Sequence, residues 1–274
     1  MPTNDVNFPI VHGRPTPRRM SNPSAPLAMR LLALALTLAA ASAAGAEDAC
    51  AASPATPSLV DITATIDVTL PTWEKPDGLG ADHRTLSSSH ENGDVANVSE
   101  LRFCAHTGTH VDAPRHFSRD DPTPIDRLPL EWMNGPALVV DAFDVPALDA
   151  ASLDALHLPR GVSRVIFRTD NTRRDLMRLT PFHEDYVGFT EDGARWLVDE
   201  RPEIRAVGVD YVSVAAYEHL VPAHVALLDV GVVPIEGLVV PEETVRAGWW
   251  HLHCAPLKIA GSDGAPARAW LTPL

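Results

Sequence analysis

The chain has 274 residues, 45% of them hydrophobic and 21% charged, with a formal net charge of -14. That apolar content excludes a globally disordered chain, and the length suits one large or two small domains. The acidic balance makes nucleic acid and anionic membrane surfaces poor partners, and 25 prolines predict many turns between short elements.

At the N-terminal end, Arg18, Arg19 and Arg30 precede the apolar run Leu31 to Leu38, which gives way to small residues ending Ala44-Gly45-Ala46. A basic flank, a short apolar core and an A-x-A site predict a leader and secretory signal peptide over residues 1–46. The protein is then exported, periplasmic or secreted, with no membrane insertion after processing. The run is too short for a membrane anchor of about 20 residues. Met20 and Met29 are alternative starts. Residues 1–46 hold four Arg and one Asp, so the remainder carries 18 basic and 35 acidic side chains and a charge of -17. Residues 47–58, rich in Ala, Ser and Pro, read as a linker. Cys50 follows Glu47-Asp48-Ala49, which is not the small apolar context of a lipoprotein site.

From residue 59 to the C-terminus the pattern is that of one α/β domain. Alternation over Leu59–Ile66 predicts a strand, and the Gly-, Asp-, Asn- and Ser-rich stretch 71–97 predicts loops around a site. Val98 to Cys104 alternates again and is expected to be the strand that delivers the residues after it. Ala137–Asp141 and Arg164–Thr169 read as buried strands. Thr190 caps a helix with Glu191 and Asp192 in its first turn, an apolar stripe of Ala194, Leu197 and Val198, and Pro202 beyond its end. Ala206–Asp210 follows as a strand. The apolar runs Ala226–Leu228 and Val230–Val233 then bring His224 and Glu236 toward the core. Cys104 and Cys254 sit in apolar settings and are expected to be buried free thiols; the alternative is one bridge, which export permits.

The segment His106-Thr107-Gly108-Thr109-His110-Val111-Asp112-Ala113-Pro114-Arg115-His116 carries the chemistry. Three imidazoles and a carboxylate share one parity, so an extended chain would point all four to one face. His and Asp are ligands that zinc and manganese accept. Straight extension would separate His106 and His110 by about 13 Å, too far for one ion held by bonds of about 2 Å. The chain must therefore bend, and Gly108 lies midway. Three ligands also leave an open position, the mark of a catalytic rather than a structural site. Thr109 bonds either to a ligand carboxylate or to backbone at the bend. Asp210 ends a buried strand in a structural or ligand-supporting place. His83, His90, His183, His219, His251 and His253 have no comparable context.

This segment resembles the HxGTHxDxPxH motif of the metal-dependent cyclase family of hydrolases, which includes bacterial kynurenine formamidases and isatin hydrolases. Every defined position is filled. His224 followed twelve residues later by Glu236 matches a second part of the pattern. Gly208-Val209-Asp210, Pro256–Ile259 and Gly264–Arg268 extend the likeness, which runs from about Leu59 to the C-terminus.

The resemblance implies a single swivelling β/β/α domain with a barrel-like mixed sheet. It further implies two divalent ions, Zn2+ or Mn2+. His106, His110 and Asp112 hold the first, and Asp112 bridges to a second held with His116, His224 and Glu236. In single-metal relatives the residue matching His116 is a catalytic base, so His116 carries two alternative roles. Asp112 and His116 are the catalytic candidates. Trp73 is placed as an aromatic wall of the substrate pocket, with core packing the alternative. The implied activity is hydrolysis of N-formyl-L-kynurenine to kynurenine and formate, a small-molecule amide substrate handled by a homodimer. A cyclic amide such as isatin is the alternative substrate, and an exported, non-catalytic metal- or solute-binding protein the alternative class.

Overall fold

The computed structural model describes residues 58–274. The expected leader, Cys50 and nearly all of the linker lie outside the described residues. The strands in chain order are β1 (Val60–Asp61), β2 (Arg84–Ser88), β3 (Val98–Leu101), β4 (His110–Asp112), β5 (Gly135–Ala142), β6 (Arg164–Thr169), β7 (Ala206–Val209), β8 (Val233–Glu236), β9 (Gly248–Pro256) and β10 (Gly264–Pro273). The α-helices are α1 (Ala150–Ala155), α2 (Asp170–Arg173), α3 (Glu191–Glu200) and α4 (Leu220–Leu228).

Seven strands close into a mixed barrel in the order β10-β4-β8-β7-β6-β5-β9, with β9 pairing back onto β10 and β1 added outside β10. The run β5-β6-β7-β8 is parallel, and the other barrel pairs are antiparallel. Closure removes the free sheet edges that would otherwise expose unpaired backbone.

Period-two alternation divides the core. Val111, Val139, Ile166, Ile235, Leu252 and Ala267 belong to one buried cluster, which takes alternate residues from the barrel strands. The intervening Val165, Phe167, Val207 and Val209 pack outward against α1, α3 and α4 through Leu153, Ala194, Leu197 and Leu227. Strands covered on both faces read as continuous apolar runs, which is why β5, β6 and β7 are visible in the sequence. Thr190 caps α3 as expected, its side chain accepting from Gly193 N at 3.2 Å.

Two strand expectations change. The strand over Leu59–Ile66 shrinks to Val60–Asp61. Beyond it Asp61 Oδ1 accepts from Thr63 N at 3.1 Å, and the chain switches partners: Ile62 N donates to Ala269 O, whereas Ile62 O accepts from Val239 N. The strand ending at Cys104 stops at Leu101 and pairs only with β2, in a ribbon whose β3 residues are all exposed. It delivers the motif through a turn, not from the barrel. The apolar stretch carrying His224 is a helix, α4. Its sequence, Leu-Val-Pro-Ala-His-Val-Ala-Leu-Leu, has His224 as its one polar residue and so no repeated polar positions to reveal a helical period, and Pro222 is accommodated in the first turn.

Cys104 is exposed, not buried, and both Cys104 and Cys254 are free. Burial pushes the Cys254 thiol up to about 12, which leaves it unreactive. Among the described residues, no helix is long and apolar enough to cross a membrane.

Candidate metal centre

The backbone bends where the spacing requires it. Gly108 has a φ of 65°, in the left-handed region, and its carbonyl accepts from His110 Nδ1 at 2.9 Å. The chain then extends through β4, where Val111 joins the barrel core while His110 and Asp112 share the opposite face. Pro114–His116 form a single 3-10 turn that folds His116 back.

Register supplies the next candidate ligand. On the neighbouring strand β8, Glu236 lies directly across from His110. Helix α4 contributes His224, whose Nδ1 donates to Leu220 O at 2.6 Å, leaving Nε2 directed at the carboxylates. Those contacts are 3.2 Å to Glu236 Oε1 and 3.6 Å to Asp112 Oδ2. His106 Nδ1 lies 2.8 Å from Asp112 Oδ1. His110, Asp112, His224 and Glu236 are all buried, whereas His106 and His116 are partly open.

Potential ligand atoms gather within 4.8 Å of one another in three groups: His106, His110 and Asp112; Asp112, His224 and Glu236; and His106, His116 and Asp263. Asp112 links the first two. His116 does not join the triad with His224 and Glu236. It stacks on His106, with ring centroids 3.9 Å apart, and its Nδ1 faces Asp263 Oδ2 at 3.5 Å. Asp263 has no counterpart in the motif and sits in the turn before β10. Its only local signal is the Gly261-Ser262-Asp263-Gly264 run, which reads as an ordinary turn.

The electrostatics are those of a cation site. Burial lowers His110 and His224, but the Asp112 and Glu236 carboxylates outweigh it, raising His110 well above 6.5 and His224 to about 10. Burial raises Asp112, yet the imidazoles around it bring the net value well below 3.8. Glu236 is raised by burial and by the Asp112 charge, and His110 and His224 reverse this to a net lowering. His116 is lowered, chiefly by burial.

A divalent cation fits this arrangement. Two buried atoms, His110 Nε2 and Asp112 Oδ2, have no hydrogen-bond partner. His110 Nε2 lies 3.0 Å from Glu236 Oε2 and 3.4 Å from Asp112 Oδ1, but neither contact has hydrogen-bond alignment. Buried polar atoms left unpaired among carboxylates are costly unless something charged is shared between them. The residues that would hold it are His106, His110 and Asp112 on one side and Asp112, His224 and Glu236 on the other.

Thr109 bonds to backbone, not to a ligand: its hydroxyl donates to Gly237 O at 2.6 Å and accepts from Ala64 N at 2.8 Å. Asp210 lies apart from the ligand cluster and ties β7 to α2 through Thr169, Asn171 and Thr172. Trp73 does line the cleft over the ligands, a space of about 270 Å³ shared with Phe117, Val212 and Leu220. Its ring packs on Phe182 and Tyr217, at 4.9 and 5.6 Å between centroids. Phe117, which the sequence reading missed, stacks on His224 at 4.4 Å and directly follows the motif.

The Cyclase family model matches residues 60–216. Cyclase-like protein 3 of Oryza sativa subsp. japonica is 42% identical over 267 residues, covering 90% of this chain and 97% of that protein. The kynurenine formamidase of Salinibacter ruber is 33% identical, over 78% of this chain and 97% of its own. A solved structure described as a potential metal-dependent hydrolase with cyclase activity superposes with a TM-score of 0.63 at 30% identity, covering 78% of this chain and 96% of that one. Isatin hydrolase A from Labrenzia aggregata gives 0.63 at 26% identity, over 78% and 93%. Family and neighbours alike indicate a metal-dependent hydrolase or cyclase-like enzyme. With a model spanning more than half of its length, this chain belongs to the Cyclase family.

Proposed function

We propose that this chain is a metal-dependent amidohydrolase acting on aryl formamides, of the kind that converts N-formyl-L-kynurenine to kynurenine and formate. The observation that carries the reading is an apolar, aromatic-walled cleft whose floor is the histidine and carboxylate cluster. Trp73 and Phe117 suit a flat aromatic ring, and the ligands lie where its amide substituent would reach.

When bound by these residues, a divalent ion would supply Lewis-acid chemistry, lowering the pKa of water and polarising a carbonyl oxygen, which weakly electrophilic amides require. Asp112 and Glu236 supply the negative charge that holds the cation. His116, at the open side beside His106, is placed to take a proton at a ring nitrogen or to add a ligand. Trp73 and Phe117 exclude water from the aromatic part of the substrate. Likeness to isatin hydrolase A supports a second substrate class, cyclic aryl amides, which the same cleft would accommodate. Export to the periplasm or beyond is part of the proposal on the leader sequence alone. An exported enzyme would act on aryl amides met outside the cytoplasm.

The test is hydrolysis of a panel of aryl formamides, cyclic imides and isatin by protein loaded with zinc or manganese, with chelator-treated protein as the control. Turnover of an aryl formamide that disappears with the metal supports the reading. Turnover of isatin alone moves the substrate to the cyclic class. No turnover with either metal favours a non-catalytic binding protein on the same scaffold.

A further inference from the structure

Two of the candidate ligand histidines are oriented by backbone. His110 Nδ1 faces Gly108 O at 2.9 Å and His224 Nδ1 faces Leu220 O at 2.6 Å, so each offers Nε2 to the cluster. His106 is turned the other way. Its Nδ1 faces Asp112 Oδ1 at 2.8 Å, and its Nε2 faces a second carboxylate, Asp263 Oδ2, at 3.2 Å.

The turn that carries Asp263 is fastened to the motif's own continuation. Ala113 N donates to Asp263 O and Ile125 N to Ser262 O, each at 2.9 Å. Arg115 donates to Gly261 O, and Gly261 N donates to Asp126 Oδ1, each at 2.8 Å. The following residue, Gly264, pairs across from Asp112. A Cβ at Gly264 would stand 2.6 Å from His106 Cε1 and 2.9 Å from Val111 O. The missing side chain is the seat of the His106 ring.

We propose that Asp263 is the positioning residue of His106: its carboxylate accepts from Nε2–H and so fixes the tautomer that leaves Nδ1 free toward the cation, while Gly264 leaves room for the ring. This rests on the metal-centre reading and adds to it a residue outside the motif. A carboxylate behind a ligating imidazole sets its orientation and raises its basicity, and loss of such a partner typically weakens metal affinity about 10- to 100-fold. Asp263 is half-exposed at the rim of the site, so removing its side chain leaves the core intact.

The experiment measures zinc affinity of the full chain by competition with a chromogenic chelator, for wild type, Asp263→Asn, Asp263→Ala and Gly264→Ala. It is paired with 15N NMR of histidine-labelled, zinc-loaded protein and with melting of the metal-free forms. Asp263→Ala should lose at least about tenfold in zinc affinity and lose the His106 Nε2–H signal, with the metal-free melting temperature unchanged. Asp263→Asn, whose amide oxygen still accepts, should retain the signal and most of the affinity. Gly264→Ala should weaken zinc binding by displacing the ring. Wild-type affinity and an unchanged His106 signal in Asp263→Ala would overturn the inference while leaving the metal centre standing. So would an Asp263→Asn loss equal to that of Asp263→Ala, or an affinity loss matched by a lower metal-free melting temperature. Failure of the wild type itself to bind zinc would overturn both.

Discussion

Gly237 and Gly108 lie back to back: a Cβ on Gly237 would stand 2.3 Å from the carbonyl oxygen of Gly108. Both have a φ of 65°. Through this contact the turn after β8, which carries Glu236, meets the bend that carries His110. The same Gly108 oxygen orients His110, and the intervening Thr109 hydroxyl reaches Gly237 O. The two ligand-bearing segments are thus held together by backbone where no side chain fits.

Gly237→Ala should therefore damage fold and site together. Left-handed backbone costs a non-glycine residue about 1–2 kcal/mol, and the overlap with Gly108 adds to this. Urea unfolding of the metal-free protein should show a loss of at least about 2 kcal/mol, and chelator competition a weaker zinc affinity. A variant with unchanged unfolding midpoint and zinc affinity would show that the contact is not needed.

Metal binding should release protons. In the metal-free protein, His224 is held at about 10 against an ordinary 6.5, so its stabilising contribution is full below 6.5 and is lost as pH rises through about 10. A cation held by His224 would compete for the same Nε2, so the proton would have to leave. Apparent affinity should rise with pH up to about 10, by a factor of about ten per unit for each proton displaced. The rise in melting temperature on adding zinc should accordingly be larger at about pH 8 than at about pH 6. Equal rises at the two values would contradict the protonated metal-free state.

Much of the site is legible in the sequence because its first candidate residues are local. His106, His110, Asp112 and His116 fall within one short segment, where spacing and chain geometry alone demand the bend at Gly108. The parallel strands β5, β6 and β7 are legible because burial on both faces leaves continuous apolar runs. Helix α4 is not, since a stretch that is apolar but for His224 hides its period. Asp263 is not, because a lone carboxylate in a glycine-flanked turn gains meaning only when β10 pairs with β4 and sets Gly264 across from Asp112. Phe117 joins the cleft wall only once the turn after Pro114 folds it onto His224. The exposed ribbon β2–β3 shows the reverse case: alternation predicts a strand, but nothing in the sequence says which sheet it joins.

Asp210 should be a stability residue. Its buried carboxylate accepts from Thr169 N and Oγ1, Thr172 N and Oγ1, and Asn171 Nδ2. Asp210→Asn replaces an acceptor oxygen with an N–H that faces these donors, which should cost about 3 kcal/mol in unfolding free energy. Zinc stoichiometry should be unchanged, since Asp210 touches none of the ligands. Loss of zinc at full stability would instead place Asp210 in the metal site.

The central claim is that Asp112 links two halves of a catalytic metal centre. The most direct measurement is kcat/KM for an aryl formamide, with elemental analysis of the same samples, for wild type, Asp112→Ala and the remote His183→Ala. Loss of metal activation costs several kcal/mol, and each 1.36 kcal/mol is about tenfold in rate. Asp112→Ala should fall at least roughly a thousandfold with reduced metal content and an unchanged circular dichroism spectrum, while His183→Ala stays near wild type. Near-wild-type turnover by a well-folded Asp112→Ala would contradict the account.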